Sequence, residues 1–204
     1  MAAGEQNQPG AGQVIVLTGP PGAGKSTVAA LLADLLEPSV HLVADDFWHY
    51  IKRGAIEPFL PQSHHQNEIV IGVLVTAAFG YAAGGYQVIC DGIVGPWFLE
   101  PFRSAAAATG LVLHYVVLRP DEATTVSRAA RRSQGRDGRP VLRACGPVVS
   151  MHRQFANLGE LERHVLNSAN QDAATTAALV RHQLGDGRFR LDAGAPGAAG
   201  PAEP

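Results

Sequence analysis

The chain has 204 residues, enough for one domain with a substantial core. A formal net charge of -2 excludes bulk attraction to nucleic acid or to an anionic membrane. Its two cysteines, Cys90 and Cys145, lie far apart with no metal-ligand spacing, and read as reduced thiols of a cytoplasmic protein.

Residues 1–12 have neither the basic nor the apolar region of a signal peptide, and read as a disordered tail. Val14–Thr18 is an apolar run that reads as a buried strand. It leads into Gly19-Pro20-Pro21-Gly22-Ala23-Gly24-Lys25-Ser26-Thr27, which satisfies the G-x-x-x-x-G-K-[ST] phosphate-binding pattern. Val28, Leu31, Leu32 and Leu35 then recur at helical spacing, predicting a helix over Thr27–Leu36. Strand, glycine loop and helix are the context the pattern needs. Backbone N–H groups of the loop and the positive end of the helix dipole would hold phosphate. Lys25 would reach the β- and γ-phosphates and the Ser26 hydroxyl would take a position on Mg²⁺. A bare glycine-rich turn would not need Lys25-Ser26.

A second strand is expected at His41–Val43, followed at once by Asp45-Asp46. Two readings stand for this pair: a carboxylate facing the phosphate loop, able to take a proton from an attacking hydroxyl or hold Mg²⁺ through water, or the N-cap of a short helix. Asp45 is the nearer to the strand. Ser63–Ala83 reads as a helix, with Ser63 and Gln66 at capping-box spacing. Ile69–Cys90 is 22 residues without a charge, the length of a membrane span. Gly84-Gly85 divides it, so it reads as a buried helix, a turn and a third strand at Tyr86–Cys90. Asp91 ends that strand, either as a Walker B carboxylate orienting metal-bound water or as part of an Asp-Gly turn.

Further along, a helix is expected at Trp97–Ala108 closed by Gly110, a strand at Leu111–Leu118, and a helix at Asp121–Ser133. Arg128, Arg131, Arg132, Arg136, Arg139 and Arg143 supply six of the sixteen basic residues within sixteen positions. Gln134–Pro140 reads as a loop, so that residues 128–143 form an arginine-rich lid able to close on transferring phosphate. A solvated helix face is the plainer reading, and a nucleic-acid patch lacks flanking aromatics for base stacking. A helix at Val148–Leu158, a strand at His164–Leu166 and a helix at Asp172–Leu184 complete a domain over residues 13–192. Residues 193–204 read as a second disordered tail. Alternating strands and helices with apolar strands imply an α/β fold: a doubly wound, five-stranded parallel sheet with helices on both faces.

The phosphate loop Gly19–Thr27, the Asp45-Asp46 pair, Asp91 and the arginine segment together resemble the P-loop small-molecule kinases, over roughly residues 13–185. That group includes chloramphenicol phosphotransferase, gluconate kinase, shikimate kinase and the zeta-toxin-like kinases. The resemblance implies ATP as phosphate donor with Mg²⁺, Asp45 as base on an acceptor hydroxyl, and Arg132 and Arg136 on the phosphates with Arg128 beside them. It also implies a nucleobase site near Asn167-Ser168. The residues after Asp45 differ from the substrate motifs of gluconate and shikimate kinases, so the acceptor stays open. Asp46, Phe47, His49 and Trp97 are the candidates for binding it, together with Trp48, His64 and His65. An aromatic lining with few charges favours a moderately apolar hydroxylated molecule, such as an antibiotic or nucleoside. The expected activity is an ATP-dependent O-phosphotransferase. Its rivals are a zeta-toxin-like nucleotide-sugar kinase, an ATP-binding regulatory module without transfer, and a nucleic-acid 5′-kinase. No N-K-x-D guanine motif and no L-S-G-G-Q signature is present.

Overall fold

Val14, Ile15, Val16 and Leu17 are all fully buried, so strand β1 (Gln13–Thr18) has no solvent face and lies at the centre of a sheet. The computed structural model describes residues 12–125, 127 and 145–192. Around β1 stand β2 (Ser39–Val43), β3 (Gln87–Asp91), β4 (Val112–Leu118) and β5 (Val165–Leu166), in the order β2-β3-β1-β4-β5. Every pair is parallel, with Leu17 opposite Asp91 and Asp91 in turn opposite Val43. The five-stranded parallel sheet expected from the apolar strands is therefore present. All five carboxyl ends lie on one edge, where open α/β sheets bind ligands.

Side chains of successive strand residues alternate between two faces. Val14, Val16, Val88, Cys90, Leu113 and Tyr115 form one core with helices α3 (His64–Ala83) and α4 (Leu99–Thr109). Ile15, Leu17, Ile89, Val116 and Leu118 form the other with α1 (Lys25–Asp34) and α6 (Ala173–Gly185). Helices cover both faces, as doubly wound sheets require. Each fully buried Leu, Ile or Phe in these two cores contributes about 1.5–3 kcal/mol. Burial also pushes the Cys90 thiol well above its ordinary range, with the Asp91 carboxylate adding to the effect, which suits an inert core cysteine.

The uncharged stretch from Ile69 resolves into α3, a turn at Gly84-Gly85 and β3. Among the described residues Pro61–Ala83 is the one segment with the length and apolar character of a membrane span. Its buried residues, including Val70, Ile71, Leu74, Ala78 and Phe79, recur at i, i+3, i+4 and i+7 and pack on the sheet. Gly110 closes α4 in the left-handed conformation at φ 70°, as its position predicts. Residues 122–125 are helical, and α5 (Cys145–Gln154) begins earlier than the sequence suggests.

Two expectations need correction. Ser63 is the N-cap residue of α3 but makes no cap bond. Its hydroxyl lies 2.8 Å from the Pro58 carbonyl and 2.7 Å from that of Leu60, while Gln66 bonds both the N–H and the carbonyl of Ile56. The backbone of the preceding loop uses both side chains, so there is no capping box. The second concerns α2 (Ala44–His49), whose N-cap is Val43 without any side-chain cap. Asp45 and Asp46 belong to its first turn, where a carboxylate complements the helix dipole rather than capping the end. The arginine segment 128–143, including Arg128, Arg132 and Arg136, and the tails 1–11 and 193–204 lie outside the described residues.

Candidate active site

The phosphate loop is built by its glycines. Gly19, Gly22 and Gly24 take φ values of 142°, 85° and 92°, a region that side chains with a Cβ rarely enter. At Gly19 a Cβ would also run into the Leu118 carbonyl oxygen at the end of β4. The Ala23 N–H reaches the Pro20 carbonyl at 3.2 Å, closing the loop on itself. Helix α1 starts at Gly24 with no side-chain cap and no acidic residue in its first turn. Its leading N–H groups and the positive end of its dipole thus face the loop without an internal acceptor from a capping side chain. Lys25 stretches across the loop mouth, Nζ donating to the carbonyls of Gly19 at 2.9 Å and Pro20 at 3.0 Å. Ser26 and Thr27 are exposed on the first turn. Pro20, Pro21 and Ala23 contribute backbone to the same loop.

Next to the loop, Asp91 ends β3 and is only 2% exposed. Its Oδ1 accepts a bond from His41 Nε2 at 2.6 Å. His41 was not among the residues singled out from the sequence, because a lone histidine in a short strand carries no spacing signal. The loop after Asp91 is fixed from below. The Val94 N–H donates to the buried Thr18 hydroxyl at 3.0 Å, and the Tyr115 hydroxyl donates to the Val94 carbonyl at 2.9 Å. Burial pushes the Tyr115 phenol well above its ordinary range, so it remains a donor.

One strand further out, α2 carries Asp45, which is exposed, and Asp46, which is partly buried. Phe47 and Trp48 pack against the core on the α3 side. Phe47 also meets the Tyr50 ring at 5.8 Å. Trp48 Nε1 donates to Asn67 Oδ1 at 2.8 Å, so this aromatic serves to dock α2 on α3. His49 is exposed, with Nδ1 4.0 Å from Asp46 Oδ1. His64 and His65 are exposed on the first turn of α3 beside Glu68, as solvated side chains. Trp97 is 44% exposed and lies over Gly95, its ring edge-on to Phe98 and 5.9 Å from the buried Phe155.

On the other side of the loop, Arg119 follows β4. Its guanidinium donates two hydrogen bonds to the Glu162 carboxylate, at 2.8 Å each, and a third to the Phe155 carbonyl at 2.8 Å. The guanidinium, with the Leu158 N–H, holds the Glu162 carboxyl down at about 2. Asn167 follows β5, exposed, with Oδ1 accepting the Ala169 N–H at 2.9 Å. The single edge thus gathers the phosphate loop, Asp91, the Asp45 turn and the Asn167 turn. Among the described residues no group of three His, Cys, Asp or Glu side chains could hold a metal by itself. Ser26 and Asp91 are an oxygen donor set that suits an ion arriving with nucleotide phosphates, which is how Mg²⁺ is commonly held.

A family model described as an AAA domain matches residues 15–143, more than half of the chain. The chain belongs to the AAA domain family. No curated protein matches its sequence. Solved structures similar to this AAA domain chain include the tunicamycin resistance protein of Deinococcus radiodurans, at TM-score 0.60 and 20% identity, covering 85% of this chain and 96% of that one. Shikimate kinase from Acinetobacter baumannii, solved with shikimate, gives TM-score 0.60 and 22% identity over 86% of this chain and 94% of its own. The APS kinase of Mycobacterium tuberculosis, solved with AMPPNP and APS, gives 0.62 and 19% over 87% and 99%. At such identities the likeness shows the fold. That fold is the one of P-loop small-molecule kinases, and it spans nearly the whole of each relative.

Proposed function

We propose that this chain transfers the γ-phosphate of ATP to a hydroxyl of a small molecule. The observation that carries the reading is the strand order β2-β3-β1, which sets the acidic turn of α2, the Asp91 end of β3 and the phosphate loop side by side. ATP phosphates lie in the Gly19–Thr27 loop, held by its amides and by Lys25. Asp45 takes the proton of the acceptor hydroxyl as its oxygen attacks the γ-phosphorus. The bond from that phosphorus to the β–γ bridging oxygen breaks and ADP leaves. When bound with the nucleotide, Mg²⁺ would supply charge neutralisation to the phosphates. Ser26 and Asp91 are the residues that would hold it.

Arg132 and Arg136 close on the γ-phosphate and exclude water, which otherwise competes with the acceptor, and Arg128 and Asn167 face the nucleotide. Asp46, Phe47, His49 and Trp97 border the acceptor. The exposed Trp97 ring and the half-buried Phe47 support a moderately apolar hydroxylated acceptor, such as an antibiotic or nucleoside. The test is transfer of label from γ-labelled ATP with Mg²⁺ across a panel of hydroxylated antibiotics, nucleosides, sugars and nucleotide sugars. The reading expects a labelled product that disappears in Lys25→Ala. ATP binding with no labelled product from any acceptor would favour a nucleotide-binding module instead.

A further inference from the structure

Among the described residues, His41 and Asp91 form the shortest contact between ionisable side chains, 2.6 Å from Nε2 to Oδ1. An ionised carboxylate only accepts hydrogen bonds, so Nε2 is the donor and the tautomer carries its proton there. In register His41 stands opposite Ile89, two residues before Asp91. Ile89 packs in the core on the α1 side, and side-chain alternation puts both His41 and Asp91 on that face, the face from which α1 and Ser26 rise. Asp91 is 2% exposed and His41 21%. The imidazole therefore occupies Oδ1 of the carboxylate.

We propose that His41 is the positioning residue of Asp91: its Nε2–H fixes Oδ1, so that Oδ2 is turned toward the phosphate loop to hold the water shell of the nucleotide-bound metal. The inference rests on the reading of Asp91 as a metal-side group. A buried aspartate at a strand end with a single side-chain partner would otherwise rotate about its terminal torsion, which is broad. Outer-shell bonds of this kind orient metal-binding groups and strengthen their hold on the ion.

The test uses Mn²⁺ as the probe, with free Mn²⁺ read by electron paramagnetic resonance in the presence of the full chain and AMPPNP. His41→Leu should weaken Mn²⁺ binding to the nucleotide complex by about tenfold while metal-free AMPPNP affinity stays unchanged. His41→Gln, whose amide nitrogen can stand near Nε2, should recover most of that loss. His41→Asn, whose amide is too short to reach, should behave as His41→Leu and serves in its place if the leucine variant does not fold. The inference is overturned if Asp91→Asn weakens Mn²⁺ while His41→Leu and His41→Asn bind it normally and only melt at lower temperature. If Asp91→Asn itself leaves Mn²⁺ binding unchanged, the assignment of Asp91 to the metal fails, and the role of His41 fails with it.

Discussion

The indole N–H of Trp48 is bonded to Asn67 Oδ1 across 2.8 Å, joining the last turn of α2 to the first turn of α3. Asn67 is buried, and its amide also donates to the Pro58 carbonyl at 2.8 Å and to Ser63 Oγ at 2.9 Å. One side chain thus ties together the helix bearing Asp45, the loop before α3 and α3 itself. The length of α3 explains why this matters. Twenty residues of helix span about 30 Å, whereas a five-residue strand spans about 16 Å, so the helix overhangs the carboxyl edge of the sheet. The Asn67 bonds add polar anchorage to the apolar packing of Phe47 and Trp48 on that side of the sheet.

Replacing Asn67 by Leu leaves the Trp48 N–H without its partner and the Pro58 carbonyl with the Ser63 hydroxyl alone. The expected cost is about 1–3 kcal/mol in urea unfolding, with a fall in kcat larger than any change in ATP affinity. Trp48→Phe, which loses the N–H together with the five-membered part of the indole, should cost at least about 1 kcal/mol. An Asn67→Leu protein as stable as wild type would mean that α2 is held by its apolar contacts alone.

Gly19 and Gly110 both have positive φ, at 142° and 70°, but their surroundings differ. A Cβ at Gly110 meets nothing within 4 Å, whereas at Gly19 it meets the Leu118 backbone. Gly110→Ala should therefore cost only the left-handed backbone strain, about 1–2 kcal/mol, and leave ATP binding intact. Gly19→Ala must displace β1 from β4 or reshape the loop, and should abolish ATP binding. Thermal melts and nucleotide titration of the two variants separate these effects.

His114 is 3% exposed, its Nε2 is 2.8 Å from Gln13 Oε1, and its Nδ1 has no hydrogen-bond partner among the described residues. Charging the ring would add a buried donor with no acceptor. Burial, then the positive charge of Arg190 and the neighbouring His164, lower its pKa from 6.5 to about 4. Between pH 6.5 and 4 the unfolded chain therefore binds a proton that the folded chain refuses. Stability from this group is fully present above pH 6.5 and falls as the pH drops toward 4, by up to about 3 kcal/mol. Chemical unfolding at pH 7 and pH 4.5 should show that loss in wild type and a smaller loss in His114→Gln. An equal loss in both would assign the acid sensitivity to other groups.

The phosphate loop was legible because the pattern depends on chain-local chemistry: glycines for positive φ, a lysine and a hydroxyl at fixed offsets. The strands were legible because burial on both faces demands unbroken apolar runs such as Val14–Leu17. The order β2-β3-β1-β4-β5 was not, since no local pattern records which strands become neighbours. For the same reason the His41–Asp91 bond, between residues fifty apart, was missed, as was the Arg119–Glu162 pair. Ser63 and Gln66 misled in the opposite sense. Their spacing satisfies a helix cap, but the carbonyls of Pro58 and Leu60 and the backbone of Ile56 lie nearby and take their bonds instead. Trp48 was read as a possible acceptor contact, and its indole N–H is committed to Asn67.

The account turns on Asp45, and the most direct measurement compares Asp45→Asn with wild type for ATP affinity and for phosphate transfer to whichever acceptor the panel identifies. Asparagine keeps the shape of the side chain and removes its ability to take a proton. The account predicts transfer slowed by about 10²–10⁴ with ATP affinity essentially unchanged. Transfer at the wild-type rate in Asp45→Asn would contradict it.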